Sequence, residues 1–284
     1  MFKKDIIANK TFDSERALYA LRNVKVENCV FSGPSDGESP LKECEKITVS
    51  GCNFDLRYPL WHCANGKISK TNLSELCRAA LWYCKGISVL DSNLLGIKAF
   101  RECKDIKLEN CKVVSPEFGW RCKKLNLKDS DFISEYFLFE SKDIVAENIK
   151  MQGKYSFQYT KNVTIENSFL DTKDAFWHAE NVTVKKSVVK GEYLAWYSKN
   201  LTFIDCEIIG TQPLCYCDNL KLINCKMTDC DRSFEYSEVD ADIVGTIISV
   251  ENPGKGRIIA DGIGEVINSD AVYETNCEIL IRAK

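Results

Sequence analysis

The chain has 284 residues, of which 45% are hydrophobic, and a formal net charge of −3 at pH 7. This nearly neutral balance argues against nucleic acid or an anionic membrane surface as a partner. The sequence has no run of eighteen apolar residues, and its opening MFKKDIIANKTF lacks a signal-peptide pattern. We therefore expect no membrane-spanning segment and a cytoplasmic location.

Residues 1–20 are predicted to form an N-terminal cap and first coil, because they precede a regular repeat that occupies residues 21–237. Two ladders of small residues mark this repeat, and most of their steps are nineteen residues long. Eleven of the fifteen cysteines lie on the ladders. The first ladder is Cys44, Cys63, Cys84, Cys103, Cys122, Ser141, Thr160, Ala179, Ser198, Cys217 and Ser237; the second is Cys29, Cys52, Thr71, Ser92, Cys111, Ser130, Ile149, Ser168, Ser187, Cys206 and Cys225.

The segments between the ladders have the period of β-strands. Apolar residues alternate there, as in Ile106 and Leu108 or Val163 and Ile165. A nineteen-residue unit is too short for a helical-hairpin repeat or a propeller blade, and the leucine-rich-repeat frame is absent. Stacked coils of an all-β, single-domain parallel β-helix fit best, with neighbouring coils about 4.8 Å apart. We expect the cysteines to be reduced, packed side chains rather than disulfides.

The six residues before the first ladder concentrate aromatic rings, acids, arginine and both histidines. One position, the tryptophan column, holds all five tryptophans, and the next position, the tyrosine column, holds both histidines. A third column lies four residues before the tyrosine column and includes Tyr136 and Tyr155. The tryptophan column is Lys42, Trp61, Trp82, Arg101, Trp120, Phe139, Gln158, Trp177, Trp196, Cys215 and Glu235; the tyrosine column is Glu43, His62, Tyr83, Glu102, Arg121, Glu140, Tyr159, His178, Tyr197, Tyr216 and Tyr236.

We interpret these three columns, together called the strip, as the lining of a long shallow groove. Rings at steps of about 4.8 Å would suit an extended carbohydrate, whose CH faces stack on rings while its hydroxyls meet polar groups. The alternative is that the rings only thicken one wall of the core. Because consecutive strand residues face opposite ways, spacing alone does not decide which column is exposed. The candidate ligand-binding residues are Trp61, His62, Trp82, Tyr83, Arg101, Trp120, Tyr136, Phe139, Tyr155, Tyr159, Trp177, His178, Trp196 and Tyr197.

Glu102, Arg121 and Glu140 follow one another in the tyrosine column and are the candidate catalytic residues. Two coils would separate the carboxylates by roughly 9–10 Å, near the upper end of the range of about 6.5–9.5 Å for inverting glycosidases. An arginine beside carboxylates also fits uronate binding or lyase chemistry. The competing interpretation is a structural stack of alternating charges. His62 and His178 lie six coils apart, too far for one site.

The sequence contains no aspartate cluster of the calcium type, no cysteine–histidine spacing of the zinc type and no phosphate-binding glycine loop. We therefore expect no metal and no cofactor. After Tyr236 the repeat frame is lost. Residues 238–284 are predicted to form irregular coils and a C-terminal cap, which would cover an otherwise open strand edge.

The segments before the first ladder, among them SERALYAL, FDLRYPLWHC, LCRAALWYC, SPEFGWRC, DTKDAFWH and GEYLAWYS, resemble the bacterial domain-of-unknown-function family numbered 3737 over nearly the whole chain. The resemblance implies a right-handed parallel β-helix similar to the pectate-lyase superfamily, and it implies no activity. The acidic calcium cluster and Asp-rich hydrolase signature of that superfamily are absent from this sequence. This absence argues against pectate-lyase-like or polygalacturonase-like chemistry.

The sequence thus predicts a protein that binds an extended carbohydrate, a uronate-type ligand or another small polyanion along the strip. Lyase or glycosidase activity is left open. The alternative is a non-catalytic scaffold whose strip docks a protein partner or a second copy of the chain, so a homo-oligomer is compatible with the sequence.

Overall fold

The computed structural model describes residues 5–283, and every regular element in that range is a β-strand. Successive coils pair in parallel, which confirms the predicted all-β parallel β-helix. No helix among these residues is long and apolar enough to cross a membrane. Backbone contacts divide the chain into two compact units, Met1–Val145 and Ala146–Lys284.

The first unit consists of short strands, most of them two to six residues long. Strand β19 (Lys142–Glu147) contains residues of both units. The strands of the first unit are β1 (Asp5–Ala8), β2 (Thr11–Phe12), β3 (Val24–Glu27), β4 (Val30–Phe31), β5 (Thr48–Ser50), β6 (Asn53–Phe54), β7 (Lys67–Ser69), β8 (Asn72–Leu73), β9 (Leu81–Trp82), β10 (Lys85–Leu90), β11 (Asn93–Leu94), β12 (Phe100–Arg101), β13 (Lys104–Glu109), β14 (Lys112–Val114), β15 (Glu117–Phe118), β16 (Lys123–Lys128), β17 (Asp131–Ser134) and β18 (Tyr136–Phe137).

The second unit begins with similar coils and ends in three longer strands followed by a short one. Its strands are β20 (Lys150–Lys154), β21 (Lys161–Glu166), β22 (Phe169–Lys173), β23 (Glu180–Lys185), β24 (Val188–Lys190), β25 (Lys199–Ile204), β26 (Glu207–Ile209), β27 (Asp218–Thr228), β28 (Glu238–Glu251), β29 (Lys255–Ile267) and β30 (Glu278–Ile281). The first long strand, β27, still lies within the repeat, and the two longest, β28 and β29, follow the loss of the repeat frame after Tyr236.

Strand register follows the nineteen-residue repeat in both units. In the first unit Ile106 lies opposite Leu125, and in the second unit Val163 lies opposite Val182. Like residues consequently stack, and the apolar ones face inward. The buried column that precedes the tryptophan column includes Leu60 and Phe100 in the first unit. It includes Phe176 in the second. This column supplies much of the core, because each large apolar side chain gains burial on folding.

All fifteen cysteines are free thiols, and fourteen of them are buried. In the first ladder the thiols take part in hydrogen bonds along the stack. The Cys84 amide donates to the Cys103 sulfur at 3.4 Å, and the Cys103 thiol donates to the Leu81 carbonyl at 3.1 Å. The expectation of reduced, packed cysteines is therefore confirmed.

Thiol titration checks this arrangement. We expect the folded protein to react with Ellman's reagent only at Cys277, the half-buried thiol, and all fifteen cysteines to react only after unfolding. The reaction at Cys277 should be slow at pH 8, because partial burial raises the pKa of this thiol to about 11. Cys277→Ser should abolish the reaction of the folded protein. Rapid reaction of several thiols in the folded variant would contradict the buried ladders.

Many turns of the coils use a left-handed backbone, for which asparagine is the favoured residue after glycine. Two turn positions flank the strand between the ladders, and both hold mainly Asn and Asp, with some Lys and Gly. In the second unit, the Asn200 amide donates to Asn181 at 3.0 Å and the Asn219 amide to Asn200 at 2.8 Å. The left-handed residues at the first position are Asn23, Lys46, Asn65, Gly86, Asp105, Lys124, Asp143, Asn162, Asn181, Asn200 and Asn219; those at the second are Asn9, Asn28, Gly51, Lys70, Asp91, Asn110, Asp129, Asn148, Asn167, Lys186, Asp205 and Asn224.

Candidate ligand-binding strip

The tyrosine column occupies another left-handed turn position, at a corner of each coil. Its φ angles lie between 52° and 62° in the first unit and between 47° and 58° in the second. A left-handed residue interrupts the alternation of a strand. As a result Leu60 and Cys63 are buried, Trp61 is half-buried and His62 is exposed. Both the tryptophan and the tyrosine columns therefore face outward, which the spacing had left undecided.

Most of the tryptophan column is half-buried, while its members Gln158 and Cys215 are buried. The tryptophans of this column are tied to the backbone by hydrogen bonds. Each indole Nε1–H donates to a carbonyl of the following coil, and the Gln158 amide makes the equivalent bond to Asp174 at 2.9 Å. The tryptophan bonds are Trp61 to Ala79 (2.6 Å), Trp82 to Lys98 (2.8 Å), Trp120 to Tyr136 (3.0 Å), Trp177 to Tyr193 (2.6 Å) and Trp196 to Gln212 (2.8 Å). The tryptophans thus help to hold neighbouring coils together and also expose one ring edge. They can therefore both thicken the wall of the core and line the surface of the strip.

In the first unit the tryptophan column is a continuous stack with a cation inside it. The rings of Trp61 and Trp82 lie 5.1 Å apart at 4°. The Arg101 guanidinium lies 5.1 Å from the Trp82 ring and 5.5 Å from the Trp120 ring. Phe139 follows Trp120 at 5.3 Å. Cation–π attraction holds Arg101 between the two indoles, and the Arg101 side chain is 25% exposed.

The tyrosine column of the first unit changes from aromatic to charged. His62 stacks on Tyr83 at 4.9 Å. The predicted catalytic residues follow, and Arg121 Nε donates to Glu140 Oε2 at 2.6 Å. This carboxylate raises the pKa of Arg121. Glu102 instead lies 3.8 Å from the guanidinium of Arg101.

The candidate catalytic residues are solvent-exposed, with side-chain exposures of 41% for Glu102, 49% for Arg121 and 41% for Glu140. The structure places them on one column, as predicted. The Glu140 carboxylate already accepts a hydrogen bond from Arg121. Their catalytic role stays a prediction. Among residues 5–283, no group of three or more His, Cys, Asp or Glu side chains could hold a metal ion.

The second unit carries a ladder of parallel rings along its tyrosine column. Tyr159, His178, Tyr197 and Tyr216 follow one another at 4.8, 5.3 and 4.9 Å, with interplanar angles of 18° or less. Trp177 and Trp196 stack beside them at 5.6 Å. The exposed fractions of Tyr159 and Tyr197 are 47% and 44%. In the third column, Tyr136 packs against Trp120, and Tyr155 is half-buried.

The ladder ends in a cleft that was not predicted from the sequence. Its volume is about 460 Å³. Tyr216 and Tyr236 had been assigned to the tyrosine column but not to the candidate site. The third ring, Tyr273, comes from the segment after the repeat is lost, so repeat spacing gave no signal for it. The cleft is lined by Tyr216, Cys217, Asp218, Tyr236, Ser237, Glu238, Gly254, Lys255, Tyr273, Glu274 and Asn276.

Residues 5–280 match the family model described as "Protein of unknown function (DUF3737)". The chain belongs to this family. The match covers nearly all of the DUF3737 protein and confirms the resemblance drawn from the motifs of the strip. No curated protein sequence matches the DUF3737 chain.

Several solved structures resemble the DUF3737 protein at low sequence identity. PfbA, a surface adhesin of Streptococcus pneumoniae, gives a TM-score of 0.52 at 9% identity, over 84% of this chain and 82% of that chain. The A-module of the mannuronan C-5 epimerase AlgE6 of Azotobacter vinelandii gives 0.44 at 10% identity, over 99% and 91%. The catalytic domain of a GH87 α-1,3-glucanase in complex with nigerose gives 0.36 at 10% identity, over 98% and 64%. The likeness to PfbA supports the fold alone.

Proposed function

We propose that the strip binds an extended carbohydrate without cleaving it. The observation that carries this proposal is the chemistry of the tyrosine column at its left-handed corners. On the same coils, the two left-handed positions that flank the strand between the ladders hold mainly Asn and Asp. The tyrosine column instead holds Tyr, His, Glu and Arg at the same backbone conformation.

The backbone does not account for this choice. A left-handed conformation costs about 1–2 kcal/mol for a residue other than glycine and is least unfavourable for Asn and Asp. Buried left-handed residues such as Phe157 and Phe176 offset that cost by packing in the core. Tyr83, Tyr159 and Tyr197 remain 39% to 47% exposed and offset less of that cost. Strained residues of this kind are characteristic of binding sites.

The ring geometry defines how a sugar would be held. Parallel rings about 5 Å apart cover each other's faces and present their edges and hydroxyl groups to solvent. A ligand along the ladder would therefore be held mainly through hydrogen bonds and edge contacts. The distance between neighbouring rings of the ladder is close to the length of one sugar unit in an extended chain. Successive sugar units would therefore meet equivalent side chains.

The charged part of the strip argues for binding without catalysis. Arg121 already donates to Glu140, so a uronate carboxylate would have to displace that partner. Glu102 and Glu140 also face water, whereas catalytic carboxyl groups usually work in sites that exclude water. The charged residues then serve as hydrogen-bonding groups for sugar hydroxyls.

Tryptophan fluorescence tests this function, because all five tryptophans belong to the strip. We expect a saturable change of emission with neutral oligosaccharides. Tyr83→Asn and Tyr197→Asn should each weaken binding by roughly three- to tenfold, since an aromatic contact contributes about 0.5–1.5 kcal/mol. Asparagine keeps the left-handed backbone accessible, so the variants should retain the fold.

Ile133→Thr and Ile223→Thr are the matched controls. These isoleucines are 49% and 47% exposed and lie on strands β17 and β27. Their replacement should leave affinity unchanged. The proposal fails if no oligosaccharide alters the emission, or if the control variants weaken binding as much as the tyrosine variants. If the wild-type chain then captures a protein partner that Tyr83→Asn and Tyr197→Asn fail to capture, this result would favour the scaffold alternative.

A further inference from the structure

We propose that the cleft at the end of the tyrosine ladder is a subsite for an amino sugar, the cationic unit of a glucosamine-type oligosaccharide. This inference rests on the proposed function, because Tyr216 and Tyr236 belong both to the tyrosine column and to the cleft. A volume of about 460 Å³ lies within the range of about 300–1,000 Å³ that small-molecule sites occupy.

Ring faces become available in this cleft, unlike along the ladder. The interplanar angle is 18° between Tyr197 and Tyr216, 45° between Tyr216 and Tyr236, and 81° between Tyr236 and Tyr273. Rings that are tilted or edge-on to one another cover less of each other's faces than parallel rings do. They can therefore receive the CH face of a sugar or an ammonium group.

The charge of the cleft selects the kind of sugar. Among the described residues, Asp218, Glu238 and Glu274 line it together with a single ammonium group, that of Lys255. Lys255 Nζ lies 3.3 Å from Glu238 Oε2, so this cation already has a carboxylate partner. The remaining negative charge repels a uronate and attracts a protonated amine.

The wall of the cleft that carries Tyr273 is fixed to the coils. The Val272 amide donates to the Tyr236 hydroxyl at 3.0 Å, and the Asn276 amide donates to the Gly254 carbonyl at 2.8 Å. These bonds hold the connection between β29 and β30 against the end of the ladder. A preformed site of this kind loses less conformational entropy when a ligand binds.

Isothermal titration calorimetry tests the proposal with three tetrasaccharides: a β-1,4-glucosamine oligomer, its N-acetylated counterpart and an oligogalacturonide. The wild-type protein should bind the glucosamine oligomer about tenfold more tightly than the N-acetylated one, because acetylation removes the charge. Tyr273→Ala should weaken binding of the glucosamine oligomer about tenfold. Val244→Ala changes a side chain on β28 that is 47% exposed and lies outside the cleft lining, so its affinity should stay unchanged.

The outcomes separate this inference from the proposed function. Equal affinity for all three tetrasaccharides, or no effect of Tyr273→Ala, overturns the amino-sugar subsite. If Tyr197→Asn still weakens the N-acetylated oligomer in that case, carbohydrate binding by the strip stands. If Tyr273→Ala weakens glucosamine binding while Tyr197→Asn has no effect on any sugar, the cleft binds independently and the strip proposal is wrong.

Discussion

Gly191→Ala is expected to destabilise the second unit by more than about 3 kcal/mol. Gly191 has a φ of +150°, and a Cβ atom placed there would overlap the Thr172 carbonyl of the preceding coil. That contact is to backbone, so no side-chain rotation can relieve it. The coil would have to separate locally from its neighbour. Urea unfolding followed by circular dichroism measures the loss.

Gly245→Ala is the control that measures the cost of an unfavourable backbone conformation when no steric clash is added. Gly245 has a φ of +93°, and no atom of the described residues lies within 4 Å of the place that an alanine methyl group would occupy. Its replacement should cost only about 1–2 kcal/mol, the penalty of a left-handed alanine. Equal losses in the two variants would show that close approach of the coils at Gly191 is not the cause.

The Gly191 variant also has a consequence for the strip. The same turn leads to Tyr193, whose carbonyl accepts the Trp177 indole bond at 2.6 Å. Tyr193 in turn packs edge-on against Trp196. A displaced turn should therefore change the tryptophan emission of the folded protein, whereas Gly245→Ala should not.

Phe176→Ala is expected to lower the free energy of unfolding by about 3–5 kcal/mol. The Phe176 ring is fully buried, stacks on Phe157 at 5.1 Å and meets Phe203 edge-on. Alanine would leave a cavity between two coils, and the flanking strands are held in register by hydrogen bonds. The core therefore cannot collapse freely around the missing ring. Chemical denaturation gives the size of the effect.

Phe169→Ala provides the comparison within the same unit. Phe169 lies on β22 and is 42% exposed, so its loss should cost well under half as much. A similar loss in both variants would contradict the assignment of the Phe176 column as the core. Both aromatic substitutions remove the same atoms, so the difference between them isolates burial.

Much of the fold was predictable because a solenoid repeats its local environment in the sequence. The strand alternation at Ile106 and Leu108 and the nineteen-residue ladders were enough to predict parallel coils and reduced cysteines. The spacing also placed Glu102, Arg121 and Glu140 on one column. It did not show that Arg121 pairs with Glu140, since side-chain rotamers decide that contact.

The sequence by itself determined the coil length, the inward apolar columns and the membership of the strip, because each depends only on residue type and spacing. The tertiary structure decided that both columns face outward, since a left-handed residue at each corner breaks the alternation expected of a strand. It also brought Tyr273 against Tyr236. That contact joins Tyr236, which belongs to the repeat, to Tyr273, which lies outside it. No periodicity records such a contact, and only the path of the chain between β29 and β30 places the two rings together.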